Sequence, residues 1–414
     1  MAQIRPLNAL HYAPEDLQTS VAPPYDVIDD DLRAHLAARS PHNVVEIDLP
    51  RGDDPYANAA RTFAEWQEQG VLQRDEEPAL WVLTQEYTGP DGAQRTRSGF
   101  FAAVRVEEYG PGRIRPHERT HPGPKEDRLN LTRATHANLS PIFSLYSDAE
   151  GRARQALRRV VETQEPWGAH TDDDGTINRM WRVPDEDTIA ELQEAVGNAE
   201  LLIADGHHRY ETARVYAEET QDEGAQWVLM TLVALEDPGL TVFPTHRLAK
   251  GRGLERYEAL ATTLRERFDI AEVPLEELAP PASEGPAEFG YLDSHFRKAF
   301  RLTWKGGPAG GLDGPLAEFD SAVLEEVVLK GPLELSDDDI DHLHDFGYAR
   351  DDEEAKRLVL DGEYDVAFLL RPPPIKTIQT IAAAGQNMPP KSTYFFPKVP
   401  TGLVINPLGN AAVR

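Results

Sequence analysis

Apolar and polar residues alternate along this chain with two different periods, which predicts a mixture of β-strands and α-helices. Apolar or alternating stretches predict strands around Trp181 and over residues 44–49, 79–87, 98–106, 142–146, 201–205, 227–235 and 366–370. Apolar positions at helical spacing predict helices over residues 56–69, 125–138, 150–162, 187–196, 254–268, 352–361 and 375–384. Glycine and proline within residues 89–92 predict a hairpin turn.

The order of these elements predicts the fold class. Strands and helices are interleaved throughout the chain with no fixed-period repeat, which is typical of a mixed α/β (α+β) fold. At 414 residues the chain is longer than one hydrophobic core usually supports. The strand pattern gives way to a helix near Lys250. We therefore expect an N-terminal α/β domain over residues 1–250 and a smaller C-terminal α/β domain over residues 251–414.

The net charge of the chain disfavours some classes of binding partner. It has 42 Lys and Arg against 71 Asp and Glu, a formal net charge of −29. A surface this acidic repels nucleic acid and anionic membranes. No segment resembles a signal peptide, and no apolar run approaches membrane-spanning length. We expect a cytoplasmic protein that binds small molecules, with no membrane or nucleic-acid partner and an oligomeric state left open.

Several common site types are absent from the sequence. The chain has no cysteine, which excludes disulfides, cysteine nucleophiles and thiolate zinc sites. It also lacks the Gly-x-x-x-x-Gly-Lys-Ser/Thr phosphate loop, the dinucleotide glycine fingerprint and the His-Glu-x-x-His zinc helix. The Gly-x-Ser-x-Gly nucleophile elbow is missing as well. Common kinase, dehydrogenase and hydrolase frameworks are therefore disfavoured.

The densest chemical signal follows the predicted strand over residues 201–205. Asp205 and Gly206 form a turn, and His207, His208 and Arg209 begin the next helix. The first turn of a helix exposes backbone N–H groups and carries partial positive charge. Histidine and arginine at that position add cationic groups suited to phosphate or carboxylate. The alternative is a helix start whose side chains are solvated or paired with nearby acids.

A second segment combines acidic and basic groups around glycine and proline. His117, Glu118 and Arg119 precede a predicted helix that carries Lys125 and Arg128. A carboxylate beside basic groups can act as a general base, and we expect Glu118 in that role beside His117. Arg119, Lys125 and Arg128 would hold an acceptor or phosphate oxygens. The alternative is a charge-rich helix held by local ion pairs.

Two further segments give weaker signals. Residues 391–398 join lysines, hydroxyls and aromatic rings, which is compatible with a nucleotide or substrate pocket or with an aromatic loop packed on the core. Residues 337–344 contain three consecutive aspartates followed by His342 and His344. They lack the alternating carboxylates of a calcium loop, so they predict an acidic helix start instead.

Four ordered motifs resemble the family called domain of unknown function 1015: residues 22–28, 117–120 with 123–128, 204–213 and 391–395. The resemblance runs nearly from end to end, and the family name implies no activity. The turn from Asp205 to Arg209 is also similar to the phosphate-binding turn of the ParB and sulfiredoxin superfamily, which implies a ParB/sulfiredoxin-like core. That turn cradles nucleotide phosphates, and some members phosphorylate free serine. The resemblance implies that Gly206, His207, His208 and Arg209 hold phosphates.

These observations lead to a functional hypothesis. We expect a kinase-like phosphotransferase that uses ATP or ADP with Mg²⁺ and acts on a small hydroxyl metabolite, with a serine-like compound as the candidate acceptor. Glu118 or Asp205 would accept the hydroxyl proton, and no metal ligands are assigned. One alternative is a nucleotide-binding switch module without metabolite chemistry. Another is a phosphatase or other hydrolase of a phosphorylated metabolite, which needs the same phosphate cradle but no nucleotide donor.

Overall fold

The computed structural model describes residues 2–89, 91–118, 122–197, 199–307 and 309–409. The chain divides into two compact units. The first unit comprises Met1–Pro116, Thr120–Leu240 and Pro397–Arg414, and the second comprises His117–Arg119 and Thr241–Phe396. The sequence pattern predicts a boundary at residue 250 between two independently folding domains. The two compact units do not test independent folding, so that boundary stays a prediction.

Helices and strands alternate through both units. In chain order the helices are α1 (Leu17–Ser20), α2 (Asp30–Arg39), α3 (Val45–Asp48), α4 (Pro55–Glu68), α5 (Pro122–Thr135), α6 (Arg152–Thr163), α7 (Glu186–Val196), α8 (His207–Thr220), α9 (Leu254–Arg267), α10 (Asp320–Val323), α11 (Asp337–Asp341), α12 (Asp352–Leu360) and α13 (Ile375–Ala383). The strands are β1 (Ile4–Arg5), β2 (Leu10–His11), β3 (Gln73–Arg74), β4 (Leu80–Thr88), β5 (Gln94–Arg105), β6 (Ile114–Arg115), β7 (Ala137–Asn138), β8 (Ile142–Tyr146), β9 (Gly168–Thr171), β10 (Ile177–Val183), β11 (Leu201–Asp205), β12 (Trp227–Ala234), β13 (Thr241–Phe243), β14 (His246–Ala249), β15 (Phe268–Val273), β16 (Glu288–Asp293), β17 (Ala299–Trp304), β18 (Phe346–Ala349), β19 (Val366–Leu370), β20 (Tyr394–Phe396) and β21 (Asn406–Pro407).

The first unit is organised by one mixed sheet. Its strands follow the order β6-β11-β8-β12-β5-β4-β10-β9, and β1 pairs with β5. The β6/β11 and β8/β12 pairs are parallel, and the other pairs are antiparallel. Apolar side chains of β11, β8 and β12 are buried together with those of α6 and α7. The mixed α/β class predicted from the sequence is confirmed. Strand β11 is held between β6 and β8, so its C-terminal end has a defined position in the sheet.

The second unit contains an antiparallel sheet of its own. Its strands follow the order β15-β17-β16-β19-β14-β18, and β13 pairs separately with β20. Phe268, Phe289 and Phe368 are fully buried in its core, where Phe289 makes T-shaped, edge-to-face contacts with each of the other two rings. Packed aromatic rings of this kind add to the free energy gained from apolar burial.

The local predictions can be compared with these elements. The predicted strands and helices are confirmed apart from small shifts of their ends, with one exception. The sequence pattern predicts a strand over residues 44–49, but they contain the short helix α3. Asn43 explains the difference, because its side-chain oxygen accepts from Val45 N at 3.1 Å while its amide donates to Thr19 O at 2.8 Å. The acidic helix start at Asp337 is confirmed as α11.

We find no helix long and apolar enough to cross a membrane in the part of the chain that the structure describes.

Candidate functional site

The strand, turn and helix predicted around Gly206 are present in the first unit. β11 ends at Asp205, and α8 begins at His207. Gly206 joins them with φ +94° and ψ 29°, a left-handed conformation that L-residues with a side chain rarely adopt. A Cβ atom at Gly206 would lie 3.0 Å from Arg209 Nε. Glycine is therefore required here both by the backbone conformation and by the side chain that covers it.

Asp205 lies between two cations at this turn. Its Oδ2 accepts from Arg209 Nη2 at 2.6 Å, and its Oδ1 accepts from the ammonium of Lys398. Burial raises the pKa of Asp205, but Lys398 and Arg209, with His207 nearby, outweigh burial and hold this pKa well below its ordinary range. A carboxylate held ionised in this way is a weak proton acceptor, since a general base works best with a pKa near the operating pH.

Arg209 folds back over the turn instead of extending from the helix. Its Nη1 donates to Ser140 Oγ at 2.8 Å and to the backbone oxygen of Pro141, in addition to the ion pair with Asp205. Its Nε is buried and has no hydrogen-bond partner among the residues described. The guanidinium thus ties the start of α8 to the segment before β8, which makes the turn rigid.

The two histidines occupy the first positions of α8. His207 is buried, with 7% of its surface exposed, and lies close enough to Asp205 to favour the ionised carboxylate. His208 is half-buried, and its backbone oxygen accepts from Thr212 Oγ1 at 2.9 Å. Gly206, His207, His208 and Arg209 are therefore adjacent at one helix start, and their phosphate-binding role stays a prediction.

Arg128 lies on α5 among carboxylates. It donates to Asp48 Oδ1 at 3.0 Å and, through Nη2, to Asp127 Oδ2 at 2.6 Å. Its guanidinium also lies 4.4 Å from the ring centre of Tyr25. Burial raises the pKa of Asp48, against the opposing charges of Arg128 and Arg209. Arg128 is thus held by its neighbours, and the predicted substrate contact stays untested.

Tyr25 and Asp48 are members of this cluster that the sequence reasoning did not assign. Together with Arg128, Ser140 and Arg209 they line a cavity of about 40 Å³. Burial raises the pKa of Tyr25 to about 12, so its hydroxyl stays protonated at neutral pH. In the sequence, Tyr25 could have been found from the two prolines before it, Pro23 and Pro24, because proline restricts the backbone and holds a loop in one conformation.

Lys125 and Arg119 are the other two residues predicted to anchor the acceptor. Lys125 is half-buried on α5, and its ammonium forms no ion pair within the described ranges. Arg119 lies outside the described residues, so its predicted contact stays a prediction.

His117 and Glu118 belong to the second unit, where they contact residues 388–395. His117 is fully buried, and its Nε2 lies 2.8 Å from Thr393 Oγ1. Its backbone oxygen accepts from Met388 N at 2.8 Å. Glu118 Oε1 accepts from Lys391 N at 3.2 Å, and Lys391 has an unusual left-handed φ of +58°. The structure therefore brings together two sequence motifs that lie far apart in the chain.

Arg247 contacts the same segment through its backbone oxygens. It is buried, its Nη2 donates to Pro390 O at 2.9 Å, and its Nη1 donates to Lys391 O at 3.2 Å. Burial lowers the pKa of Arg247, against opposing charges that include Glu118. Arg247 thus supports the loop through these bonds, while the preceding residue, His246, donates its Nε2 hydrogen to Asp352 Oδ1 at 2.8 Å.

The fit of the expected Mg²⁺ ion can be tested against these side chains. No three His, Asp or Glu side chains cluster to hold a metal ion anywhere in the described ranges. Asp205 and Asp48 are already engaged by cations. The described residues do not form a ligand set for Mg²⁺, and its involvement stays a prediction.

Comparison with known proteins identifies the family. The chain belongs to the DUF1015 family, a family described as protein of unknown function, whose model matches residues 4–336. No curated protein matches the chain. The family resemblance stated from the sequence motifs is therefore confirmed.

Solved structures show weak similarity. A conserved hypothetical protein from Pyrococcus furiosus is 15% identical with a TM-score of 0.38, covering 73% of this chain and 95% of that one. A free serine kinase in complex with AMP is 17% identical with a TM-score of 0.37, covering 70% and 89%. C-terminally truncated SbnI from Staphylococcus aureus is 13% identical with a TM-score of 0.39, covering 74% and 87%. These TM-scores are too low to support an inference about the fold or the function of this chain.

Proposed function

We propose that this protein is a nucleotide-dependent phosphotransferase that moves a phosphoryl group from ATP or ADP to a small hydroxyl metabolite, with a serine-like compound as the candidate acceptor. The observation that carries the proposal is the rigid turn at Gly206. It joins a buried strand to the start of a helix, and Arg209 holds it in place through hydrogen bonds to Ser140 and Asp205. A ParB/sulfiredoxin-like core around this turn is part of the same proposal.

The turn suits phosphate for electrostatic reasons. The first backbone N–H groups of a helix point along its axis, where the helix dipole favours an anion. In α8 these groups belong to His207, His208 and Arg209. A preformed helix start binds phosphate without first losing the entropy of a loop that must become ordered. We propose that the backbone and the imidazoles contact the ligand, while Arg209 fixes the geometry.

The acceptor hydroxyl needs a base. We propose Glu118 for this role, because its carboxylate is half-buried and is oriented by the backbone N–H of Lys391. His117 would support it, held by Thr393. Asp205 is the weaker candidate, since two cations hold its pKa low. Lys125 and Arg119 would anchor the acceptor, and Arg128 would hold Tyr25 and α5 in place.

The first experiment is a thermal-shift series with ATP, ADP, CTP and GTP, each with and without Mg²⁺, and with inorganic phosphate as a control. We expect one nucleotide to stabilise the protein selectively, and the stabilisation to shrink in His208→Ala. His35→Ala is the matched control, because His35 is exposed on α2 of the same unit. The stabilising nucleotide is then incubated with hydroxyl amino acids, and phosphorylated product is measured by mass spectrometry.

The results separate the alternatives. A stabilisation that inorganic phosphate reproduces contradicts a nucleotide donor and favours a hydrolase of a phosphorylated metabolite. Nucleotide binding without transfer to any hydroxyl compound favours a binding switch. No response to any nucleotide refutes the phosphotransferase proposal.

A further inference from the structure

Three neighbouring strands of the first unit carry polar side chains in direct register. Asn178 of β10 pairs with Gln85 of β4, and Gln85 pairs with Arg97 of β5. Gln85 Nε2 donates to Asn178 Oδ1 at 2.8 Å, and Arg97 Nε donates to Gln85 Oε1 at 3.1 Å. All three residues are almost fully buried. We call this set the polar ladder. Buried polar groups are costly unless they are satisfied, and a satisfied network specifies one arrangement.

The polar ladder ends on the backbone of the segment that returns to the first unit. Arg97 Nη2 donates to Pro397 O at 2.6 Å, and Gln85 Nε2 donates to Lys398 O at 3.1 Å. These bonds hold the main chain from which the Lys398 side chain extends. The ammonium of Lys398 reaches Asp205 at the candidate turn, and about 18% of the side chain is exposed to solvent.

Two cations share one acceptor at the turn. Arg209 and Lys398 both contact Asp205. Arg209 is also occupied by Ser140 and Pro141. Lys398 is the more exposed of the two cations, with 18% of its side chain accessible against 11% for Arg209, and its flexible stem suits a point-charge contact to phosphate oxygens.

We propose that Lys398 binds the phosphates of a nucleoside di- or triphosphate at the turn, and that the polar ladder positions it for this contact. The inference rests on the proposed function, because it assigns a further residue to the same phosphate site. Lys398 is the binding residue, and Asn178, Gln85 and Arg97 are positioning residues that act through its backbone.

The test is calorimetric titration of ADP and ATP into the full-length protein. Lys398→Gln removes the charge, and we expect it to weaken binding by about 10- to 100-fold, the range for losing one charge-assisted hydrogen bond. Lys398→Arg keeps the charge and should retain most of the affinity. Lys298→Gln is the matched control with the same change of net charge, because Lys298 lies exposed in the second unit beside Glu272. It should bind like wild type.

A double-variant cycle tests the positioning role. Gln85→Met removes the hydrogen bonds of the Gln85 amide to Asn178, Arg97 and the Lys398 backbone, and we expect it to weaken ADP binding on its own. In the Lys398→Gln background it should have no further effect on affinity, since residues acting through one group are not additive. A purely structural role would lower affinity equally in both backgrounds, and that outcome overturns the ladder assignment.

A measurement on the wild-type protein covers the case in which a variant fails to fold. Acetic anhydride modifies accessible lysines, and mass spectrometry reports each site. We expect saturating ADP to slow acetylation of Lys398 and to leave Lys298 unchanged.

The outcomes distinguish this inference from the proposed function. If wild type binds neither ADP nor ATP, both fail. If wild type binds them while folded Lys398→Gln binds equally, or while ADP gives Lys398 no protection, only the assignment of Lys398 fails.

Discussion

The Gly206→Ala substitution gives the sharpest test of the rigid turn. Alanine at φ +94° costs about 1–2 kcal/mol, because left-handed conformations crowd the Cβ atom against the backbone. The new Cβ would also lie 3.0–3.2 Å from three atoms of the Arg209 guanidinium. The guanidinium must shift, which weakens its charge-assisted bond to Asp205, a bond of about 1.5–3 kcal/mol. We expect a loss of about 1–2 kcal/mol from the backbone strain, rising to about 5 kcal/mol if the bond to Asp205 is lost completely.

A matched control separates backbone strain from the loss of the ion pair. Gly175 has φ +86°, and a Cβ atom added there would meet no other atom within 4 Å, so Gly175→Ala introduces the strain alone. Thermal unfolding measures both variants, with a shift of about 2–4 °C per kcal/mol for domains of 150–250 residues. Gly206→Ala should unfold at a clearly lower temperature than Gly175→Ala and should lose nucleotide binding. Equal unfolding temperatures together with unchanged binding would refute the argument.

Three further predictions concern charged groups. Glu118→Gln should preserve nucleotide binding and lower the rate of phosphoryl transfer by about two to four orders of magnitude, and an unchanged rate would remove Glu118 as the base. The folded pKa of Asp205 is depressed, so its stabilising contribution is present above its unfolded pKa of about 3.9 and is lost as the pH falls toward the folded value. The difference in unfolding temperature between wild type and Asp205→Asn should therefore shrink below about pH 4, and a constant difference would contradict this. Arg128→Met leaves the buried carboxylate of Asp48 without its main partner and should lower the free energy of unfolding by about 3–5 kcal/mol, measured in urea. The double variant Arg128→Met/Asp48→Leu removes the unpaired carboxylate and should recover part of this loss.

Much of the fold could be predicted from short stretches of sequence. The apolar run that ends at Asp205 and the glycine after it specify β11 and the start of α8, because both signals are local. Residues 44–49 show the limit of this reasoning. Their apolar character fits a strand or a buried helix equally well, and the buried side chain of Asn43 favours the helix by accepting from Val45 N inside the run and donating to Thr19 O outside it.

The candidate site was predictable only in part. Asp205 at the end of β11 and Arg209 in the first turn of α8 are only four residues apart, so their pairing across the turn is local in the sequence. Tyr25, Asp48 and Lys398 join the cluster from remote parts of the chain, and no periodic pattern connects them to the turn. The same holds for the contact of His117 with Thr393. Such groupings depend on tertiary structure, which a local pattern does not encode.

The return of residues 397–409 to the first unit has a consequence for synthesis on the ribosome. A chain that emerges from its N-terminus completes residues 120–240 well before Lys398 exists, and the whole of Thr241–Phe396 must be translated in between. At about 5–20 residues per second that interval lasts roughly 8–30 seconds. During this time Asp205 lacks its contact with Lys398 and the polar ladder lacks its terminal acceptors. The nascent first unit is therefore incomplete until Lys398 has been translated, and a chain released before that point would lack the lysine at its turn.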